Sequence, residues 1–454
     1  MSTEIRRYVR SLGLDAYVVG GAVRDELLGI EHADEDFLVP RLDQAGLRGA
    51  LEPHGRVEDM EVHGQLVGVR FHPRDRTIRA LVPTGIELTP PRRERSTGPG
   101  HRDFEIVADP SVSIADDMAR RDFTVNAMAR RLETGELVDP FGGRDDLERR
   151  ELRTVGPTSF AEDPLRILRG LRLVSQLDFT LAAGTLAQMR SESGGLAHVS
   201  AERIGGGQAA DGMGELSKLL LGRRPAGALR LARDTGALVQ VIPEFAEAIG
   251  YVLPKARQPM PLDEHVFAVV QGTADAGDDL AVRLAALLHD LGKPAADRAD
   301  GGHAALGADL ALGTLRRLRY PNRLRDEVAK IVAGHSFQLD GTIDALVARR
   351  FLASHGTALA AQLVALKRAD LGAKLVEDWE LEHLATLERL LADEAESPHR
   401  LTDLAVDGND LIAAGYREGP ELGGVLARLL DEIVEHPERN ERNALLDRAR
   451  RWRD

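Results

Sequence analysis

The chain has no cysteine at all. Disulfides and thiolate metal sites are thereby excluded, and any metal must be held by Asp, Glu or His. A thiol-free chain fits a reducing compartment, so a cytoplasmic location is expected. Aromatic residues make up only 4%, too few for a stacking platform for single-stranded bases. No apolar run reaches the ~18 residues of a membrane span, so no membrane partner is expected. The opening segment, Met1 to Arg7, is polar and helix-like and lacks the apolar core of a secretory signal. Basic residues are in deficit, 59 Lys and Arg against 73 Asp and Glu, for a net charge of -14. That balance argues against a DNA-coating protein, while a local basic groove for RNA stays open.

What remains is an ordinary globular composition, 43% hydrophobic over 454 residues. That length predicts about two to four subdomains. Tyr17-Val18-Val19, Phe37-Leu38-Val39, Gln65 to Phe71 and Gly85 to Leu88 have strand patterns. Gly20-Gly21 turns the first strand into a helix from about Ala22 to Leu28. Pro90 to Gly100, rich in Pro, Gly and Arg, predicts a mobile loop. From about Asp163 onward apolar residues recur at helical spacing, with Gly205 to Gly214 and Pro254 to Pro261 as linkers.

Three features of the first part carry chemistry. A strand that ends in Gly-Gly and opens a helix offers backbone N–H groups to an anion, and Arg24 in the first turn adds a guanidinium. Taken alone, such a turn is usually just a turn. Asp34 and Asp36, two apart on a strand, point to one face, while Glu35 points away. Two hard oxygen ligands there suit Mg²⁺, and Glu87 on another strand could be a third. Three carboxylates can hold two cations, suited to activating an attacking hydroxyl and steadying a leaving pyrophosphate. Finally, Asp163, Arg166, Arg169 and Arg172 recur three apart, which on one helix puts them on a shared face. An Asp acceptor beside an Arg donor can pair with a base edge, although such a stripe is more often a solvated salt-bridge row.

Together these segments resemble a known family. Gly20-Gly21-Ala22-Val23-Arg24-Asp25 followed by Asp34-x-Asp36 is similar to the head signature of class II tRNA nucleotidyltransferases and bacterial poly(A) polymerases. Arg120-Arg121-Asp122-Phe123-Thr124-Val125-Asn126-Ala127-Met128-Ala129, Asp139-Pro140-Phe141-Gly142-Gly143 and Glu162-Asp163-Pro164-Leu165-Arg166 follow in that family's order. The resemblance implies that Asp34 and Asp36 bind Mg²⁺, with Glu87 as the third catalytic carboxylate. It implies nucleotide contacts from Gly20, Gly21, Arg24 and Arg121, base reading by Asp163 and Arg166, and a triphosphate near Arg169 and Arg172. The loop at 90–102 has a counterpart there that helps switch the pocket from C to A.

The later half has a second constellation. His289-Asp290 ends an apolar helix, and one divalent ion could take both if helices supply His265 and Asp370 opposite. The order His…His-Asp…Asp resembles the HD phosphohydrolase domain over roughly 255–400, with His303 and His335 as extra histidines for a second ion. The resemblance implies metal-assisted hydrolysis of phosphate esters, including 2′,3′-cyclic phosphodiesters. Asp407 to Ile412 and Gly415 to Gly423 resemble the tail that follows this domain.

The expected fold class is therefore α+β: a small mixed-sheet nucleotidyltransferase head, then a long all-α body with an HD domain. Expected boundaries are 1–142 for the head, 143–250 for a helical neck and body, 251–400 for the HD domain and 401–454 for a helical tail. The expected activity is CCA addition to tRNA from CTP and ATP. A poly(A) polymerase or an enzyme adding only CC or only A remains open. So does an HD phosphohydrolase whose head merely binds RNA.

Overall fold

A computed structural model describes residues 2–31, 35–62, 65–96, 104–108, 111–206, 213–253, 260–299 and 302–453. The chain divides into two compact units, Met1–Pro243 and Glu244–Asp454.

In the first unit the triplet Tyr17–Val19 is a strand (β1), with Val18 and Val19 buried. Further strands follow: β2 Asp36–Leu38, β3 Gly55–Val62, β4 Gln65–Pro73, β5 Ile86–Thr89, β6 Arg92–Ser96, β7 Phe104–Ala108, β8 Ala129–Arg131 and β9 Leu137–Val138. Seven of them form one mixed sheet in the order β3-β4-β5-β2-β1-β8-β9. Only β2 and β5 run parallel; the other neighbours are antiparallel. Alternation along β4 buries Val67, Val69 and Phe71 on one face. Phe71 stacks on Tyr8 of the first helix, Ser2–Ser11.

The segment expected to be a loop from Pro90 begins instead as β6, paired with β7 in a separate two-stranded ribbon. Its residues 97–103 lie outside the described ones, as does the centre of the Gly205–Gly214 linker. The linker's flanks meet, Gly214 N donating to Gly205 O at 2.6 Å. Beyond the sheet, helix Leu165–Leu177 packs against Glu215–Leu220 and Pro225–Asp234. Its apolar stripe (Ile167, Leu168, Leu171) is buried.

The second unit is all helical among the described residues. Helices Leu262–Asp275, Leu280–Leu288, His303–Arg317, Asn322–Gly334 and Ala345–Gly372 pack on one another. The last is broken at Gly356, whose φ of 70° only glycine adopts readily. The tail helices Gly408–Ala413, Pro420–Glu435 and Arg442–Arg453 enclose a core of their own around Leu411, Leu429, Ile433 and Leu445. No described helix is long and apolar enough to cross a membrane.

Candidate functional site

The first unit's site grows from the end of β1. Gly20 takes φ 72°, ψ -133°, and a helix, Gly21–Leu28, starts at once. A Cβ on Gly20 would stand 2.5 Å from Nη1 of Arg121. Glycine suits this position twice: its backbone is one that other residues rarely adopt, and an added Cβ would displace the arginine that crosses it. Arg24, one turn into the helix, donates to Asn126 Oδ1 at 2.7 Å and to Asp25 at 2.8 Å.

The sheet register brings the carboxylates to this turn. Asp36 on β2 lies opposite Val19 of β1 and, on the other side, opposite Glu87 of β5. Asp36 and Glu87 both line a cleft of about 600 Å³. Asp34 lies outside the described residues. Glu35 has its side chain turned from the cleft, as alternation predicts, but it does not reach solvent. The side chain is 4% exposed and paired with Arg6 at 2.7 Å. Glu87 is paired with Arg70 at 2.6 Å.

Guanidinium groups make up much of the cleft's wall: Arg24, Arg120, Arg121, Arg169, Arg172 and Arg203 all line it. Among the described lining residues none is aromatic. Buried acids hold this wall in place. Asp117 accepts from Arg120 Nε at 2.9 Å and lies 3.5 Å from Arg121. Asp122 accepts from Arg169 Nε at 2.7 Å, Asn126 at 3.0 Å and the Phe123 N–H at 2.8 Å. Burial alone would raise the Asp122 carboxyl, but Arg169 and these donors hold it well below the usual carboxylate range. Arg169 is correspondingly raised by Asp122. Glu215 pairs with Arg172 at 2.7 Å and reaches Arg169 at 3.9 Å.

The predicted helix face from Asp163 to Arg172 is corrected by the structure. Asp163 is not in the helix: it caps the short turn Ser159–Glu162 with extended backbone, and helix Leu165–Leu177 starts after Pro164. Its carboxylate accepts from the Leu165 N–H at 3.1 Å and pairs with Arg203 at 3.2 Å, not with Arg166. Arg166 is buried and donates to the Arg120 carbonyl at 2.6 Å and to Ser159 Oγ at 3.1 Å. All four residues nevertheless line the same cleft.

In the second unit the expected quartet assembles. His265, His289, Asp290 and Asp370 are buried, with one ligand atom from each lying within 4.8 Å of the others. His265 Nε2 is 3.1 Å from Asp370 Oδ1 and 3.4 Å from Asp290 Oδ2. His289 donates through Nδ1 to the Ala286 carbonyl at 2.8 Å, which aims Nε2 inward. His265 Nε2, His289 Nε2 and Asp370 Oδ1 are buried without a hydrogen-bond partner. These orphaned atoms are donors of the kind a divalent cation takes, so the residues fit a metal. Burial opposes a charged His289, but the Asp290 carboxylate beside it outweighs burial and holds the ring up to about 9. Asp290, His303 and His335 form an adjoining trio. Burial pushes His303 down to about 4.

Sequence reasoning missed the buried acids Asp117, Asp122 and Glu215, and Arg203. It also missed two lysines at the metal quartet, Lys293 on Asp290 at 2.5 Å and Lys374 on Asp370 at 2.6 Å. Only the i+3 and i+4 spacing to those aspartates pointed to them.

Three family models match the chain: "Poly A polymerase head domain" over 16–153, "Probable RNA and SrmB- binding site of polymerase A" over 178–249, and "HD domain" over 262–395. The multifunctional CCA protein of Azoarcus sp. (strain BH72) is 38% identical over 327 residues, covering 70% of this chain and 73% of that one. The protein of that name from Pseudomonas aeruginosa is 37% identical over 329 residues, 70% and 73% respectively. Among solved structures, the Bacillus stearothermophilus CCA-adding enzyme in complex with CTP superposes with a TM-score of 0.70 at 26% identity, over 100% of this chain and 98% of that chain. The Thermotoga maritima CCA-adding enzyme complexed with tRNA shares the fold, with a TM-score of 0.58 at 20% identity over 99% and 94%.

Proposed function

Because the chain belongs to the family of the multifunctional CCA proteins, we propose that it adds C, C and A to the 3′ end of tRNA from CTP and ATP. Addition proceeds without a template and releases pyrophosphate. The observation that carries this reading is the register of β1, β2 and β5. It sets Asp36 and Glu87 side by side at the glycine turn, in a cleft also lined by guanidinium groups.

The primer's 3′ oxygen attacks the α-phosphorus of the nucleotide, a new P–O bond forms, and the bond to the β-phosphate breaks. Asp34, Asp36 and Glu87 would hold Mg²⁺, which would supply charge stabilisation at the reacting phosphate. Arg24 and Arg121, beside the Gly20-Gly21 turn, neutralise triphosphate oxygens, as do Arg169 and Arg172. Asp163 accepts from the exocyclic amine that cytosine and adenine share, and Arg166 fixes the backbone of Arg120 beside it. With no aromatic side chain among the described lining residues, the base stacks on guanidinium planes.

The second unit is proposed as a phosphohydrolase for phosphomonoesters and 2′,3′-cyclic phosphodiesters. His265, His289, Asp290 and Asp370 would hold one divalent ion, and His303 and His335 with Asp290 a second. The four-part division (1–142, 143–250, 251–400, 401–454), a cytoplasmic location and RNA rather than DNA as partner belong to the same proposal.

The test is incubation with tRNA lacking CCA, tRNA ending in C, tRNA ending in CC and a generic RNA, each with labelled CTP or ATP. Addition that stops after CCA supports the reading; a long A tail on any RNA replaces it with poly(A) polymerase. Asp36→Ala should abolish incorporation and spare phosphohydrolysis. Surviving incorporation would refute the carboxylate assignment.

A further inference from the structure

The first helix, Ser2–Ser11, touches the carboxylate segment of the head through Arg6. Ile5 and Val9 are buried and seat this helix on the head. Arg6 Nε then lies 2.7 Å from Glu35 Oε1, and Arg6 Nη1 bonds Glu26. Glu26 belongs to helix Gly21–Leu28, which opens at the Gly20 turn, and also pairs with Arg130 of β8 at 2.9 Å. One guanidinium thus joins the helix of the glycine turn to the residue between Asp34 and Asp36.

The burial of Glu35 makes this contact consequential. With its side chain 4% exposed, the carboxylate is costly to keep in place without a cation beside it. Arg6 supplies that cation from outside: it does not line the cleft, whereas Asp36 and Glu87 do. Without the guanidinium, the Glu35 carboxylate is driven toward water. Its neighbours on either side are the two aspartates, and successive residues of a strand point to opposite faces. A backbone rotation that frees Glu35 therefore turns Asp34 and Asp36 out of their shared direction.

We propose that Arg6 is a positioning residue for nucleotidyl transfer: it holds Glu35 in its buried place and so keeps Asp34 and Asp36 turned toward the cation. The inference rests on the reading that these aspartates hold Mg²⁺. Its signature is an asymmetry. Removing the guanidinium harms the site, whereas removing the Glu35 charge does not, because no buried acid then has to be held.

The experiment uses the full chain with Asp290→Ala, which takes a residue from both ligand groups of the second unit. Mn²⁺ affinity is read by electron paramagnetic resonance, and kcat and KM for labelled CTP are measured beside it. Arg6→Met should weaken Mn²⁺ binding at least ~10-fold and lower kcat in step. Arg6→Lys, which cannot fork to both acids, should fall between Arg6→Met and the parent. Glu35→Leu alone, and the pair Arg6→Met with Glu35→Leu, should bind Mn²⁺ within about threefold of the parent, so that the second change rescues the first. If Arg6→Met does not fold, the pair and Arg6→Lys decide: parental Mn²⁺ affinity in the pair with a loss in Arg6→Lys supports the positioning, and any other pattern overturns it. An arginine that only braces the helix would lower the melting temperature, leave Mn²⁺ affinity unchanged and gain nothing from Glu35→Leu, and that result overturns the positioning. Asp36→Ala is the reference. If it keeps Mn²⁺ binding, the carboxylate assignment fails and the positioning with it; if it loses binding while Arg6→Met does not, the positioning alone fails.

Discussion

Replacing Gly20 by alanine separates the backbone role of this residue from its service to Arg121. At φ 72°, ψ -133° an L-residue is strained by about 1–3 kcal/mol. For a unit of this size that lowers the melting temperature by roughly 2–12 °C. The new methyl would also stand 2.5 Å from Arg121 Nη1, so the guanidinium must swing off its path past the Asn126 carbonyl and Asp117. A charge-assisted hydrogen bond to a phosphate oxygen contributes about 1.5–3 kcal/mol. Losing it should cut kcat/KM for CTP by roughly 10- to 150-fold. Gly29→Ala is the control, because its φ of +68° is strained as well but nothing lies within 4 Å of the added carbon. The assay is steady-state incorporation of one labelled C into a tRNA lacking CCA, run well below both melting temperatures. If Gly20→Ala keeps kcat/KM within twofold of Gly29→Ala, Arg121 does not hold nucleotide phosphate and the reasoning from this close approach is wrong. A further check is Arg121→Ala combined with Gly20→Ala, whose effects should be far from additive.

Other outcomes follow from the same geometry. Asp370→Asn should abolish divalent-metal retention by the second unit and its phosphohydrolysis while leaving CCA addition within twofold of the parent. Equal loss of both activities would mean that the sites are not separate. His289 must be neutral to ligate, yet its ring is held up to about 9 by Asp290. Metal uptake at pH 7 should therefore release a proton, and affinity should rise with pH until about 9. By linkage, the metal-free protein gains stability from this ring below its ordinary value of 6.5 and loses it as pH rises through about 9. A pH-independent metal affinity between 6 and 9 would contradict the arrangement. Glu215→Gln removes the charge that holds Arg172 and should cost about 1–3 kcal/mol in urea unfolding. It should also raise KM for both nucleotides, and a stability loss with unchanged KM would limit Glu215 to folding.

Much of the site was legible because local rules were enough. A Gly-Gly step after an apolar triplet marks a strand-to-helix turn, and the two-residue strand period separated Asp36 from Glu35. The metal quartet was legible from its residue types and order. Misreadings arose where a local rule was applied across a break. The three-residue spacing from Asp163 to Arg172 shares a face only if the helix is continuous, yet Pro164 forces the preceding residue into extended backbone. Asp163 accordingly has φ -141°, ψ 99°. The strand β6, Arg-Arg-Glu-Arg-Ser, has no apolar face and draws its register from β7 alone. Asp122 and Glu215 meet their arginines, Arg169 and Arg172, only through tertiary packing, whereas Asp117 has Arg120 and Arg121 three and four residues on. Lys374 is a local partner of Asp370, four residues before it, but that aspartate needed the fold to meet His265, His289 and Asp290.

The pairing of Asp163 with Arg203 has a consequence for how a base is chosen. On the reading proposed above, the carboxylate that recognises the incoming base is not a vacancy waiting to be filled. It already has a cationic partner from a helix 40 residues downstream. Selection then works by exchange: a base is admitted when its amino group replaces a guanidinium on the same oxygen. Uracil has no such amine to present, so a pocket holding it would keep the Arg203 contact and leave the base unbound. Discrimination against the wrong nucleotide would then be built into the resting protein, through a contact it gives up only to the right one.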